Sequence, residues 1–241
     1  MTALPTTLEE AIHQARVAVS AAIAAGVGRM TVELVDPELK GMPVAQEFYP
    51  VLQDLGLTFK IYFPDAGAAA LARRDWGNPE FVIRGVDELG GQVEAADQVY
   101  VFVEPSAVEV SQVEEICNLA GDRFIVMLNP KLEDVATIGI GYAGRQLRER
   151  FLSTLEPVYY LRPLEAAVLV RAYPAPWQLW QATPEGRYDL AAEFPQRPGG
   201  EAIDRVLMAD AARLGDGAEA APPRRGGFLS ELQSFIRALT Q

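Results

Sequence analysis

The chain is poor in the residues that most often carry chemistry, with one cysteine and one histidine among 241 positions. A single thiol excludes an intramolecular disulfide. Cys117 lies in the helix-like run Val-Glu-Glu-Ile-Cys-Asn-Leu and reads as a buried free thiol. His13 falls on the opening helix, which argues against Ser-His-Asp, Cys-His and histidine-rich metal sites. A Gly-x4-Gly-Lys-Ser/Thr phosphate loop is missing. No apolar run approaches the roughly 18 residues of a membrane span. Cations are scarce too: 21 Lys and Arg stand against 33 Asp and Glu, for a net charge of −12. That balance opposes phosphate-backbone binding and simple docking on anionic lipid, so neither nucleic acid nor a bare lipid surface is expected as a partner. The first residues lead straight into a helix start without a basic region followed by an apolar stretch. The expectation is a protein without a leader segment that stays in the cytoplasm.

What the chain has in quantity is apolar side chains, 49% of the total, enough for one sizeable core. Their spacing alternates between helix and strand. A helix over residues 6–25 opens on the Thr6/Glu9 and Thr7/Glu10 capping pairs and ends at Gly26. Strands at 29–35 and 57–63 bracket a helix at 43–54, and a short alanine-rich helix and a weaker strand follow at 66–74 and 81–84. The clearest βαβ unit is next. Gln-Val-Tyr-Val-Phe-Val-Glu at 98–104 is a near-continuous apolar strand, Ser106 with Glu109 caps a helix to about 120, and 124–128 is another buried strand. Such alternation predicts a parallel sheet with right-handed crossovers. After 141 the pattern changes to a helix at 143–154, then β runs at 158–161, 166–173, 177–182 and 186–194, and a helix at 200–213. The four β runs are too few for a core of their own. The fold predicted is therefore α/β: a mostly parallel open sheet flanked by helices, Rossmann-like and three-layered, with an antiparallel C-terminal extension. Residues 1–213 form the domain, 214–227 a Gly/Ala/Pro/Arg-rich linker, and 228–241 a terminal amphipathic helix.

Three sets of residues are candidates for a site. Asp36, Glu38, Asp65, Glu104 and Asn129 follow predicted parallel strands and fall at their carboxyl edge, where open α/β sheets bind ligands. The same residues are natural turn and cap formers. Gly139-Ile-Gly141-Tyr-Ala-Gly144, followed by Arg145 and Arg148 on a helix, has the letters of a dinucleotide fingerprint and is the candidate anion site; a plain structural loop is the competing reading. In the same region Arg145, Arg148, Arg150, Arg162 and Arg171 outnumber Glu149, Glu156 and Glu165. Trp177 and Trp180 beside a proline, and the stripe that includes Phe228, Leu232, Phe235 and Leu239, are candidate partner-binding residues; the alternative for the tryptophans is core packing, and for the tail stripe it is folding back onto the domain. No catalytic residue, metal ligand or cofactor is assigned.

Several segments carry a family likeness: Thr7-Leu-Glu-Glu-Ala-Ile, Val32-Glu-Leu, Leu128-Asn-Pro-Lys-Leu-Glu-Asp, Gly144-Arg-Gln-Leu-Arg-Glu-Arg-Phe-Leu-Ser-Thr-Leu-Glu, Tyr160-Leu-Arg-Pro-Leu and Pro174-Ala-Pro-Trp-Gln-Leu-Trp. Over residues 4–213, and most specifically 125–180, the chain resembles a domain of unknown function shared by cyanobacteria and plastids. That family includes a plant low-photosystem-II-accumulation protein and a domain that follows a chloroplast adenylate kinase. The resemblance implies a role in building or maintaining the photosynthetic membrane machinery. Together with the apolar tail stripe and the tryptophan segment it leads to the expectation of a non-enzymatic accessory or assembly factor for a photosynthetic membrane complex, with a protein partner there and possible peripheral association at the thylakoid. The alternative is an α/β regulator that binds a nucleotide or phosphorylated metabolite.

Overall fold

The computed structural model describes residues 3–133 and 142–214. Gly139 and Gly141 of the glycine loop lie outside them, as do all but the first residue of the linker and the tail residues Phe228, Leu232, Phe235 and Leu239. The described chain builds one nine-stranded sheet in the order β3-β2-β4-β5-β1-β6-β7-β8-β9. Six strands are parallel: β1 (Arg29–Leu34), β2 (Phe59–Phe63), β3 (Val82–Gly85), β4 (Val99–Val103), β5 (Phe124–Leu128) and β6 (Glu156–Pro163). From β6 the sheet continues antiparallel through β7 (Ala167–Ala172), β8 (Trp177–Ala182) and β9 (Tyr188–Phe194). This is the predicted α/β architecture with its antiparallel extension.

Strand periodicity sorts the core into two layers. Ile61, Phe63, Val101, Val126 and Leu128 face one side with α1 (Leu8–Ala24), α2 (Gly41–Phe48), α3 (Pro50–Asp54) and α4 (Ala66–Asp75). Their neighbours Tyr62, Tyr100, Phe102, Ile125 and Met127 face the other side with α5 (Val110–Ala120) and α6 (Tyr142–Arg150). On that second side Tyr160, Leu169 and Trp177 pack against Ile203 of α7 (Gly200–Leu214). The chain leaves β1 toward β2 and β3, then returns through β4, β5 and β6, which under right-handed crossovers puts the helices on opposite faces. Cys117 is fully buried on α5, and burial pushes its thiol up to about 12.

Local chemistry sets the boundaries. Thr7 accepts from the Glu10 N–H at 3.1 Å, while the Glu10 carboxylate accepts from the backbone N–H and hydroxyl of Thr6. Gly26, at φ 78°, closes α1 with its N–H on Ile23 and the Val27 N–H on Ala22. The helix predicted over 43–54 is divided at Tyr49, because Pro50 brings no N–H to continue the ladder. The helix predicted over 143–154 ends at Arg150 and resumes as a 3₁₀ turn at Leu152–Thr154, with Phe151 off helical geometry between them. Ser106 and Glu109 do form a reciprocal capping box, yet they hold a turn and the helix itself opens at Val110.

The β3–β4 crossover carries no helix. Residues 86–98 cross the second face as a loop whose carbonyls are taken by sheet side chains. Lys60 Nζ donates to Gly91 O at 3.0 Å, the Tyr62 hydroxyl to Gln92 O, and Arg84 to Glu88 O at 2.9 Å. Lys60, 2% exposed, also pairs with Asp97 at 3.0 Å and Glu94 at 3.3 Å. Burial opposes ionisation of Asp97, but the Glu94 N–H, the Tyr100 hydroxyl and Lys60 outweigh it and hold the carboxyl below its usual range.

Candidate functional site

Parallel strands bring their carboxyl ends to one edge, so the residues after β1, β2, β4 and β5 gather there. β2 and β4 are neighbours whose connections depart in opposite directions, the place where open sheets leave a crevice. Each predicted edge residue has a traceable position. Asp65 is the N-cap of α4 and accepts from the Ala68 N–H at 2.8 Å. Asp36 accepts from the Glu38 N–H at 2.8 Å and so shapes the turn after β1. Glu38 is exposed further along that turn.

Glu104 and Asn129 are more constrained. Both have positive φ, 48° and 46°, although neither is glycine, and each precedes a proline. Their backbones extend the sheet ladder by one step: the Glu104 N–H reaches Leu128 O and the Asn129 N–H reaches Val32 O, both at 2.8 Å. The turn then aims the side chains across the edge. Asn129 Oδ1 accepts from the Leu34 N–H at 2.7 Å. Glu104 Oε2 accepts from the Gly41 N–H at 3.1 Å, and its Oε1 from Lys131 Nζ at 3.0 Å. The carboxylate thus sits at the first residue of α2, where the helix dipole favours negative charge. A Cβ on Gly41 would stand 2.4 Å from Glu104 Oε2, so only glycine admits this approach. At the end of β3, a Cβ on Gly85 would stand 2.5 Å from the Ala66 nitrogen. The fold brings these acids and amides together, and their hydrogen bonds run to the fold itself.

The second candidate set is partly placed. Gly144 is buried at the start of α6, Arg145 is exposed, and Arg148 lies 3.7 Å from Glu133. Arg150, two residues on, makes a two-pronged pair with Glu114 at 2.7 and 2.9 Å. Trp177 is 1% exposed in the core, its ring tilted against Tyr160 at 5.0 Å between centroids, which leaves it no surface to offer a partner. Trp180 is half-buried against the opposite layer and donates to Gln178 at 3.3 Å.

Several polar positions were not singled out by sequence reasoning. Glu33 of β1 accepts from the Thr31 hydroxyl at 3.0 Å, and burial raises its carboxyl despite that bond and the nearby Arg197. Arg197 lies 4.4 Å over the Tyr160 ring and donates to its hydroxyl at 2.7 Å. Lys60 is the buried cation of the helix-free crossover. The signal for Lys60 was visible, a charged residue inside the otherwise apolar strand Phe-Lys-Ile-Tyr-Phe; Glu33 shares β1 with Arg29 and Thr31 and stood out less. A groove of about 1140 Å³ runs between the first half of α1 and α2, with Glu38 and Lys40 on its wall.

Among the described residues no helix is long and apolar enough to cross a membrane, and no cluster of His, Cys, Asp or Glu has the arrangement of a metal site. A family model for a domain of unknown function, DUF1995, matches residues 5–205, which takes in the whole sheet and the start of α7. The chain therefore belongs to the DUF1995 family.

Proposed function

We propose that this protein is a non-catalytic accessory factor that binds a protein component of a photosynthetic membrane complex during its assembly or maintenance. The observation that carries the reading is the fate of the strand-edge side chains. Glu104, Asn129, Asp65 and Asp36 bond to backbone N–H groups of the fold, at the edge where α/β enzymes present acids and amides to a substrate. Their chemistry is taken up in positioning helices and closing the ladder. The surface, rather than that crevice, is then the functional part. Resemblance of residues 7–12, 128–134, 144–156 and 174–180 to the cyanobacterial and plastid family, with its low-photosystem-II-accumulation member, supports the photosynthetic setting. A net charge of −12 directs the chain toward protein rather than anionic lipid, so any residence at the thylakoid is peripheral and held by a protein partner.

The test is affinity capture with the full chain from detergent-solubilised photosynthetic membranes, read by mass spectrometry. Enrichment of a photosystem or pigment–protein subunit is the expected result. Recovery of none would overturn the reading.

A further inference from the structure

The groove between α1 and α2 has the make-up of a peptide-docking surface. Its base is apolar: Leu8, Ile12 and Val44 are buried, and Leu4, Leu39 and Pro43 are half-buried around them. Its rim is acidic. Glu9, Glu38 and Glu47 are exposed there, against one exposed ammonium, Lys40. Two further charges on the wall are already engaged, Glu10 by Thr6 and Arg16 by Asp54 at 2.9 Å. Among the described residues the carboxylates of Glu9, Glu38 and Glu47 and the Lys40 ammonium have no hydrogen-bond or ion-pair partner.

An apolar base beneath three free carboxylates selects its occupant by charge. An acidic segment would be repelled, and a neutral apolar one would leave the rim unmatched. An amphipathic helix with lysine or arginine along the borders of its apolar face satisfies both layers at once. We propose that this groove docks a short cationic amphipathic segment of a partner protein. The assignment rests on the protein-binding reading above and adds the site and the partner's chemistry. It also gives a role to Glu38, the one strand-edge candidate whose side chain the fold leaves unbonded.

His13 lies exposed on the groove wall and is the sole histidine, so its ring signals in proton NMR report occupancy directly. The probe is a helical lysine–leucine peptide of about 14 residues, with a glutamate–leucine peptide of the same spacing as its control. Titrated into the full chain, the cationic probe shifts the His13 signals and the acidic one does not. Joint Glu9→Lys, Glu38→Lys and Glu47→Lys weakens binding by at least about tenfold. The same charge change at exposed positions elsewhere, Glu115→Lys, Asp122→Lys and Glu201→Lys, leaves it within about twofold. Equal loss in both triple variants, or binding that leaves His13 unmoved, overturns the proposal. So does a synthetic peptide of residues 222–241 that displaces the probe and moves His13 as strongly, because the occupant is then this chain's own end. Groove binding together with failed photosystem capture sustains the site and removes only the photosynthetic setting.

Discussion

At the residue scale, two side chains show how the fold uses polar chemistry for itself. Asn129 combines a left-handed backbone with a bond to the Leu34 N–H, and asparagine tolerates that backbone better than most residues. Asn129→Gly keeps the backbone and loses the bond, so it should destabilise by about 1–3 kcal/mol. Asn129→Ala loses both and should be worse by about 1 kcal/mol; urea unfolding gives the order, and equal stability of the two variants would contradict it. Glu33 works the other way. Its carboxyl is raised because burial disfavours the charge, so the folded state holds its proton more tightly than the unfolded chain does. The stability linked to that proton is complete below the unfolded carboxyl range and is lost as pH rises through the raised value. Glu33→Gln should therefore raise the melting temperature at pH 8, with the gain shrinking toward pH 4. A gain that grows on acidification would refute the burial argument.

At the element scale, α2 begins where Glu104 allows it. Gly41→Ala drives a Cβ into the Glu104 carboxylate and should cost about 1–3 kcal/mol. In a Glu104→Ala background the same change should be nearly neutral, and a double-mutant cycle without coupling would show that the approach is unimportant. The helix-free crossover hangs on Lys60. Lys60→Ala leaves Asp97 buried without its cation and should cost about 3–5 kcal/mol, while Lys60→Met with Asp97→Asn should recover much of it. If the double variant is as unstable as the single one, the loop is held by other contacts. Elements of this kind were largely legible in the sequence, because helix and strand periods, capping pairs and glycine stops are local. Pro50 and Phe151 interrupt helices that periodicity alone joins. The strand-edge acids were also found from sequence, since a parallel sheet dictates where they fall. Their partners were not: Gly41 lies 63 positions from Glu104, and Leu34 lies 95 from Asn129. The groove was illegible for the same reason, since two helices must pack before it exists.

At the scale of the whole molecule, one continuous sheet holds every described element, and the proposed function places partner contact on the faces and rims it leaves outside. A net charge of −12, strand-edge side chains bonded to the fold and a groove with a carboxylate rim are the features on which the protein-binding proposal rests. Co-sedimentation of the full chain tests this most directly, with three targets compared at one ionic strength: isolated photosynthetic membranes, the same membranes shaved with protease, and vesicles made from their extracted lipids. The account predicts binding to the intact membranes, loss of it after shaving, and none to the vesicles. Equal binding to vesicles, or no binding to intact membranes, would contradict it.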